Sequence, residues 1–144
     1  MRYDIKDRFE GYSILSVVAD SFKLAVEWAL KKRISLSRAD LSRVDLSGMD
    51  FSHTDLVKAD LSQSNFSGAN LYGANLSRSD LSGADFSGSN LYATNLTGAN
   101  LSNVNFSHAD LSGSDLSGAN LTGADFTGSD LLGALLPKTP RLAA

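Results

Sequence analysis

From Leu36 to Leu136 every fifth residue is Leu or Phe, 21 positions without an exception or an insertion. That period excludes the two ordinary ways of burying apolar side chains. On an α-helix successive positions would rotate by roughly 140° and scatter around the cylinder, and on one flat strand they would alternate between faces. A chain that turns a corner every five residues points all of them inward, and four such corners close one coil. The recurring position is the centre of each quintet.

The other slots are biased in ways that suit a corner. The residue before the centre is Asp or Asn in 19 of the 21 quintets, the exceptions being Ser35 and Leu135. The residue two before it is Ala, Ser, Thr or Val except at Ile34 and Met49, and the residue after it is nearly always Ser or Thr. The fifth slot is loose, with Gly most often, and its other occupants include Arg38, Arg43, His53, Lys58, Gln63, Arg78, Asn103 and His108. Asp, Asn, Ser and Gly are the residues that turns demand. The aromatic register then sets the coil at 20 residues, because Phe66, Phe86, Phe106 and Phe126 are spaced by 20, as are Tyr72 and Tyr92. Stacked in one interior column, the Phe rings gain about 0.5–1.5 kcal/mol per pair beyond their buried area. Phe51 falls on the next face with Leu71 and Leu91. At about 4.8 Å per coil, the quintets make about five coils and a rod of roughly 25 Å.

The run Ala39-Asp40-Leu41-Ser42-Arg43 through Ala124-Asp125-Phe126-Thr127-Gly128 resembles the pentapeptide repeat family, whose motif is A(D/N)LxX, over about 100 of the 144 residues. What the resemblance implies is an all-β solenoid, a right-handed quadrilateral β-helix in which the centre and the small residue two before it face inward. For function it implies a wide range. Members include gyrase-protecting DNA mimics, secreted effectors and many proteins with no assigned activity, so fold and function separate here.

An open solenoid exposes backbone and apolar side chains at both ends and needs caps. Residues 1–33 read as the N-terminal cap, 34–136 as the β-helix and 137–144 as a tail. In the cap, Tyr3 to Phe9 and Tyr12 to Val18 are expected as a hairpin around Glu10-Gly11, and Asp20 or Ser21 N-caps a helix through Lys32. Phe22, Ala25, Val26, Ala29 and Leu30 fall on one stripe of that helix, which therefore lies against the first coil. Ile5-Lys6-Asp7-Arg8-Phe9-x-Gly11 and the segment from Ser21 to Glu27 resemble the N-terminal segment of phage and prophage members of the family, which points to a bacterial or phage source. At the other end Leu132, Leu135 and Leu136 leave an apolar surface. Either the tail folds over it, with Leu142 as a plug between Pro137, Pro140 and the chain end, or it is buried in a C-terminal end-to-end homodimer.

Sequence features that carry catalysis are missing. There is no Cys, hence no thiol nucleophile, disulfide or Cys-based zinc site. His53 and His108 sit in the loose slot on different faces and do not pair, and no glycine-rich phosphate loop precedes a helix. The Asp column 40, 60, 80 offers carboxylates for a metal, but Arg38, Lys58 and Arg78 form a column two residues earlier and are expected to supply countercharge. The chain is therefore expected to be no enzyme and to need no cofactor or metal. No stretch has the apolar length of a membrane span, and the N-terminus is charged where a signal peptide turns apolar, so a cytoplasmic location without a membrane partner is expected.

Charge distribution says more. The net charge is -3, and all four Lys or Arg of the repeats precede Leu81. Beyond Arg78 the coils carry Asp80, Asp85, Asp110, Asp115, Asp125 and Asp130 with no Lys or Arg until Lys138. This sign disfavours direct binding of nucleic acid. It fits a non-catalytic interaction module that presents a rigid acidic surface to a protein partner, and also a mimic of DNA acting on DNA gyrase, whose density of negative charge the second half approaches. It fits equally an Asp that merely alternates with Asn at a solvated turn. Tyr72 and Tyr92 occupy a slot where Ser is the rule, and make either a contact patch or a self-packed surface ladder.

Overall fold

A computed structural model describes residues 1–138. Its N-terminal unit is a hairpin of β1 (Arg2–Lys6) and β2 (Ser13–Val18), paired antiparallel with Ile5 opposite Leu15, followed by α1 (Phe22–Lys31). The strands are shorter than the sequence pattern predicts, because Asp7 takes the chain out of the hairpin. Its Oδ1 accepts the amides of Phe9 and Glu10 at 2.8 Å each, and the backbone around it turns to the first coil. There the Asp40 amide donates to the Lys6 carbonyl at 2.7 Å and the Arg8 amide to the Arg38 carbonyl at 2.8 Å. An edge that would otherwise be bare is thus paired. Ser21 is the N-cap, accepting the Leu24 amide at 3.2 Å, and Lys32 is the C-cap. Of the apolar stripe, Ala25, Val26 and Ala29 are fully buried, while Trp28 lies at its margin under the Lys32 ammonium.

The repeats form a right-handed quadrilateral β-helix. Each Asp or Asn slot makes a single parallel bridge to the slot 20 residues on, from Asp40 with Asp60 to Asp115 with Leu135. Three bonds per quintet join neighbouring coils. The amide of the centre and that of the loose slot donate forward, as Leu61 does to Asp80 and Gln63 to Ser82, whereas the Asp-slot amide donates back, as Asp60 does to Ala39. At every corner from Ala39 to Ala134 except that of Val44, the amide two before a centre donates to the carbonyl of the previous centre, as Ala59 does to Leu56 at 3.0 Å. The loose slot is the third residue of that turn, and its φ is positive at every position from Arg33 to Gly133, between 54° and 73°. A type II turn requires this, which is why Gly dominates a slot that otherwise carries no pattern. Ten residues with side chains accept the same strain, Ala93 among them at φ 55°.

Every centre from Leu36 to Leu116 is shielded from solvent. Phe66 and Phe86 stack with centroids 4.8 Å apart, and Phe86–Phe106 and Phe106–Phe126 follow at 5.6 and 5.3 Å. Phe51 meets Phe66 edge-on from the adjoining face. Where Ser replaces Ala at the small interior slot, its hydroxyl is satisfied by the preceding centre's carbonyl, Ser89 to Phe86 at 2.6 Å and Ser114 to Leu111 at 2.6 Å. The last coil differs: Leu121, Phe126 and Leu131 are half-buried, and Leu132, Leu135 and Leu136 are exposed. Pro137 is among the described residues. Pro140 and Leu142, the proposed cover, lie outside them.

Candidate interaction surface

The Asp and Asn side chains act first as turn caps. Asp115 Oδ1 accepts the Ser117 amide at 2.9 Å, Asp125 Oδ1 the amide and hydroxyl of Thr127, and the same Asx bond recurs through the rod. Hydrogen bonds from Ser117 and Thr127 hold the carboxyls of Asp115 and Asp125 below the usual carboxylate range, as those from Ser47 and Ser52 do for Asp45 and Asp50. Asn adds a second function: Asn100 Nδ2 donates to Asp80 Oδ1 and Asn105 Nδ2 to Asp85 Oδ1, one coil apart, at 3.3 and 3.2 Å.

The six aspartates beyond Arg78 are spread over all four corners. Asp80 stands on one, Asp85 and Asp125 on the next with Asn105 between them, Asp110 and Asp130 on the third, and Asp115 on the fourth. Asp110 and Asp130 are the pair in adjacent coils. Among the described residues all four ion pairs lie in the cap or between the cap and the first coil. The expected countercharge from the Arg38 column is therefore not what the structure shows for Arg38. Its guanidinium reaches back to Asp7 Oδ2 at 2.9 Å and Glu10 Oε1 at 3.3 Å, fastening cap to coil. Burial pushes the Asp7 carboxyl up, but the amides of Glu10 and Phe9 and the Arg38 charge outweigh it and leave the group below its ordinary value. Arg8 and Lys23 complete the joint, donating to the carbonyls of Ala59 and Ser47 at 3.0 and 2.7 Å.

Tyr72 and Tyr92 stand one coil apart with their rings parallel within 6° and 5.6 Å between centroids, each about two-fifths exposed. They form a surface ladder. His53 extends it, its ring edge-on to Tyr72 at 5.0 Å. The sequence pattern does not reveal this contact, because His53 and Tyr72 occupy different slots; the signal would have been that their slots adjoin on the same corner, one coil apart. A second feature that the sequence pattern does not reveal is a groove of about 970 Å³ between α1 and the first coils, lined by Lys23, Glu27, Leu30, Ile34, Met49 and His53 among others. Ile34 and Met49, the two exceptions at the small slot, both line it. His108, on another face, lies beside Gly128. No group of three His, Asp or Glu that could hold a metal ion occurs among the described residues. None of their helices is long and apolar enough to cross a membrane.

A 20-residue coil, inward centres and Asx-capped corners define a quadrilateral β-helix of pentapeptides. The sequence matches the family of pentapeptide repeats, in 8 copies over residues 34–71, 69–107 and 105–138, and the chain belongs to that family. Among solved structures it is similar to HetL, a pentapeptide repeat protein involved in heterocyst differentiation regulation in the cyanobacterium Nostoc. The identity there is 33% over 69% of this chain and 60% of HetL, with a TM-score of 0.49. It is also similar to a pentapeptide repeat protein of the Arabidopsis thaliana thylakoid lumen, 34% identical over 65% of this chain and 61% of that one, TM-score 0.38. A third is QnrB1, a plasmid-mediated fluoroquinolone resistance protein, 25% identical over 67% and 64%, TM-score 0.38. The chain thus spans about three-fifths of the length of the first two. No curated protein matches it.

Proposed function

We propose that the protein is a non-catalytic interaction module, a rigid rod whose face around Tyr72, Tyr92, Asp110 and Asp130 docks a protein partner. The observation that carries this is the Tyr72–Tyr92 ladder: two exposed aromatic side chains, held parallel by the coil spacing, at a slot where the turn needs only Ser. Large amphipathic side chains fixed on a rigid backbone lose little entropy on binding. Capture of partners from a bacterial lysate, repeated with Tyr72→Ser/Tyr92→Ser, tests it. Partners lost with the ladder support the face, and partners indifferent to it refute it.

A second reading is mimicry of DNA toward DNA gyrase, favoured by the six aspartates from Asp80 to Asp130 that no Lys or Arg interrupts. Dispersal of these charges over four corners leaves any one corner with two at most, which favours the first reading. Inhibition of gyrase supercoiling that fades with salt supports mimicry, and no effect at micromolar protein excludes it. The exposed Leu132, Leu135 and Leu136 make a C-terminal end-to-end homodimer part of this proposal. Light scattering at several concentrations tests it, a monomeric mass throughout excluding the dimer.

A further inference from the structure

We propose that the notch one coil beyond Tyr92 receives an arginine side chain of the protein partner, its guanidinium stacked on the Tyr92 ring and hydrogen-bonded to Asp110 and Asp130. The inference rests on the interaction reading above and names the chemistry of its central contact.

The notch is an interruption in the ladder. The slot that carries the tyrosines runs Ser52, Tyr72, Tyr92, Ser112, Leu132 up one corner. His53 covers Tyr72 on the N-terminal side, and Tyr72 covers one face of Tyr92. On the other side of Tyr92 the next coil offers only Ser112, whose hydroxyl is turned onto Asp110 Oδ1, and Gly113. A Cβ on Gly113 would lie 3.8 Å from Tyr92 Cε2, so this position borders the ring without a side chain to cover it. The next side chain of the column, Leu132, stands two coils on, about 9.6 Å away at the ordinary strand spacing, and is 80% exposed. A flat group at the level of Ser112 therefore continues the ladder at the spacing the two tyrosines already keep.

Charge decides which flat group. Asp110 and Asp130 flank this opening in adjacent coils, two residues before Ser112 and Leu132. Oδ1 of each is engaged, accepting the amides of Ser112 and Leu132 at 2.9 Å, and Oδ2 of each accepts nothing among the described residues. On the same corner nearer the cap, Asn side chains separate the acids: Asn70 Nδ2 donates to Asp50 Oδ1 and Asn90 Nδ2 to Asn70 Oδ1. Between Asp110 and Asp130 no such donor exists, and two like charges face each other about one strand spacing apart. A cation relieves this. Guanidinium is planar, stacks on aromatic faces and presents a fork of N–H donors to carboxylates, whereas an ammonium is compact and firmly hydrated. A neutral aromatic side chain would stack but leave both carboxylates unpaired.

The full chain is titrated with N-acetyl-arginine amide while the ring resonances of its four tyrosines are followed. The Tyr92 resonances move first, and those of Tyr3 and Tyr12 stay. Asp110→Asn/Asp130→Asn, which the turn accepts because Asn fills the slot at 70 and 90, weakens the response about tenfold or more. Ser112→Tyr, extending the ladder into the notch, abolishes it while far-UV circular dichroism is unchanged. An equal response to N-acetyl-lysine amide, a stronger response to N-acetyl-tyrosine amide, or indifference to the Asp pair overturns the assignment. A partner captured through Tyr72 and Tyr92 but indifferent to the Asp pair overturns the arginine chemistry alone, whereas a partner captured equally by Tyr72→Ser/Tyr92→Ser overturns the interaction face itself.

Discussion

Truncation of Phe86 measures how much of the rod's cohesion passes through its aromatic column. Phe86 is fully buried, with Phe66 parallel to it at 4.8 Å and Phe106 tilted at 5.6 Å. Phe86→Ala is expected to cost ~3–5 kcal/mol, the usual range for a buried ring. Two ring contacts account for about 1–3 kcal/mol of it, so Phe86→Leu, which keeps most of the volume, should lose that smaller amount. Phe126 has one ring neighbour, at 5.3 Å, and is only half-buried in the last coil. Phe126→Ala should therefore cost about half as much as Phe86→Ala. With a urea dependence of ~2 kcal/mol per molar, the three midpoints fall by roughly 2, 1 and 1 M respectively. Because each coil touches only its neighbours, the mid-rod defect also weakens coupling between the halves. Circular dichroism, which reports the coils, should then lead the fluorescence of Trp28, which reports the cap, in Phe86→Ala and coincide with it in the parent protein. Equal midpoint shifts for Phe86→Ala and Phe126→Ala would refute the buried-column argument.

Leu96→Asp places an unpaired carboxylate at a fully buried centre, and is expected to abolish cooperative urea unfolding, since such a charge costs ~3–5 kcal/mol against marginal stability. A folded, equally stable variant would show that the centres are not interior. Ala93→Gly relieves a φ of 55° at the turn and should raise the thermal midpoint, by ~0.5–1 kcal/mol in stability, where the same change at Ala99, in the interior slot, lowers it. Asp115 and Asp125 have folded pKa values below the unfolded one, so their contribution is complete above the ordinary aspartate value of about 3.9 and is lost as pH falls through the depressed folded values. Urea midpoints should be flat near neutrality and drop on acidification below that point, less so for Asp115→Asn/Asp125→Asn; a midpoint that declines already from neutral pH would point to other groups.

What repeats was legible, and what happens once was not. The five-residue period, the inward centres and the stacking of Phe66 to Phe126 follow from residues that recur, each copy confirming the last. The left-handed backbone of the loose slot was hidden by its tolerance: Arg38, His53 and Lys58 stand where glycine belongs, because the turn is held by bonds on either side. The true partner of Arg38 was also hidden. The joint between cap and first coil has no periodicity, so nothing in the spacing of Asp7, Glu10 and Arg38 announces their meeting. Likewise His53 and Tyr72 meet across two slots, and the groove under α1 exists only because a helix crosses the coils.

The hydrogen bonds between coils give the rod an electrical direction. In each quintet two amides point toward the C-terminal end and one points back, so one peptide dipole per quintet is left uncancelled. An α-helix carries its positive pole at the N-terminus; this rod carries it at the opposite end, where the amides of Phe126, Gly128, Leu131 and Gly133 find no acceptor among the described residues. The aspartates from Asp110 to Asp130 cluster about that pole, and the sign is favourable to them. Two such ends brought face to face would oppose two amides for every carbonyl, so a junction between them leaves backbone donors unpaired and rests on leucine side chains more than on a ladder of backbone bonds continued from one rod into the next.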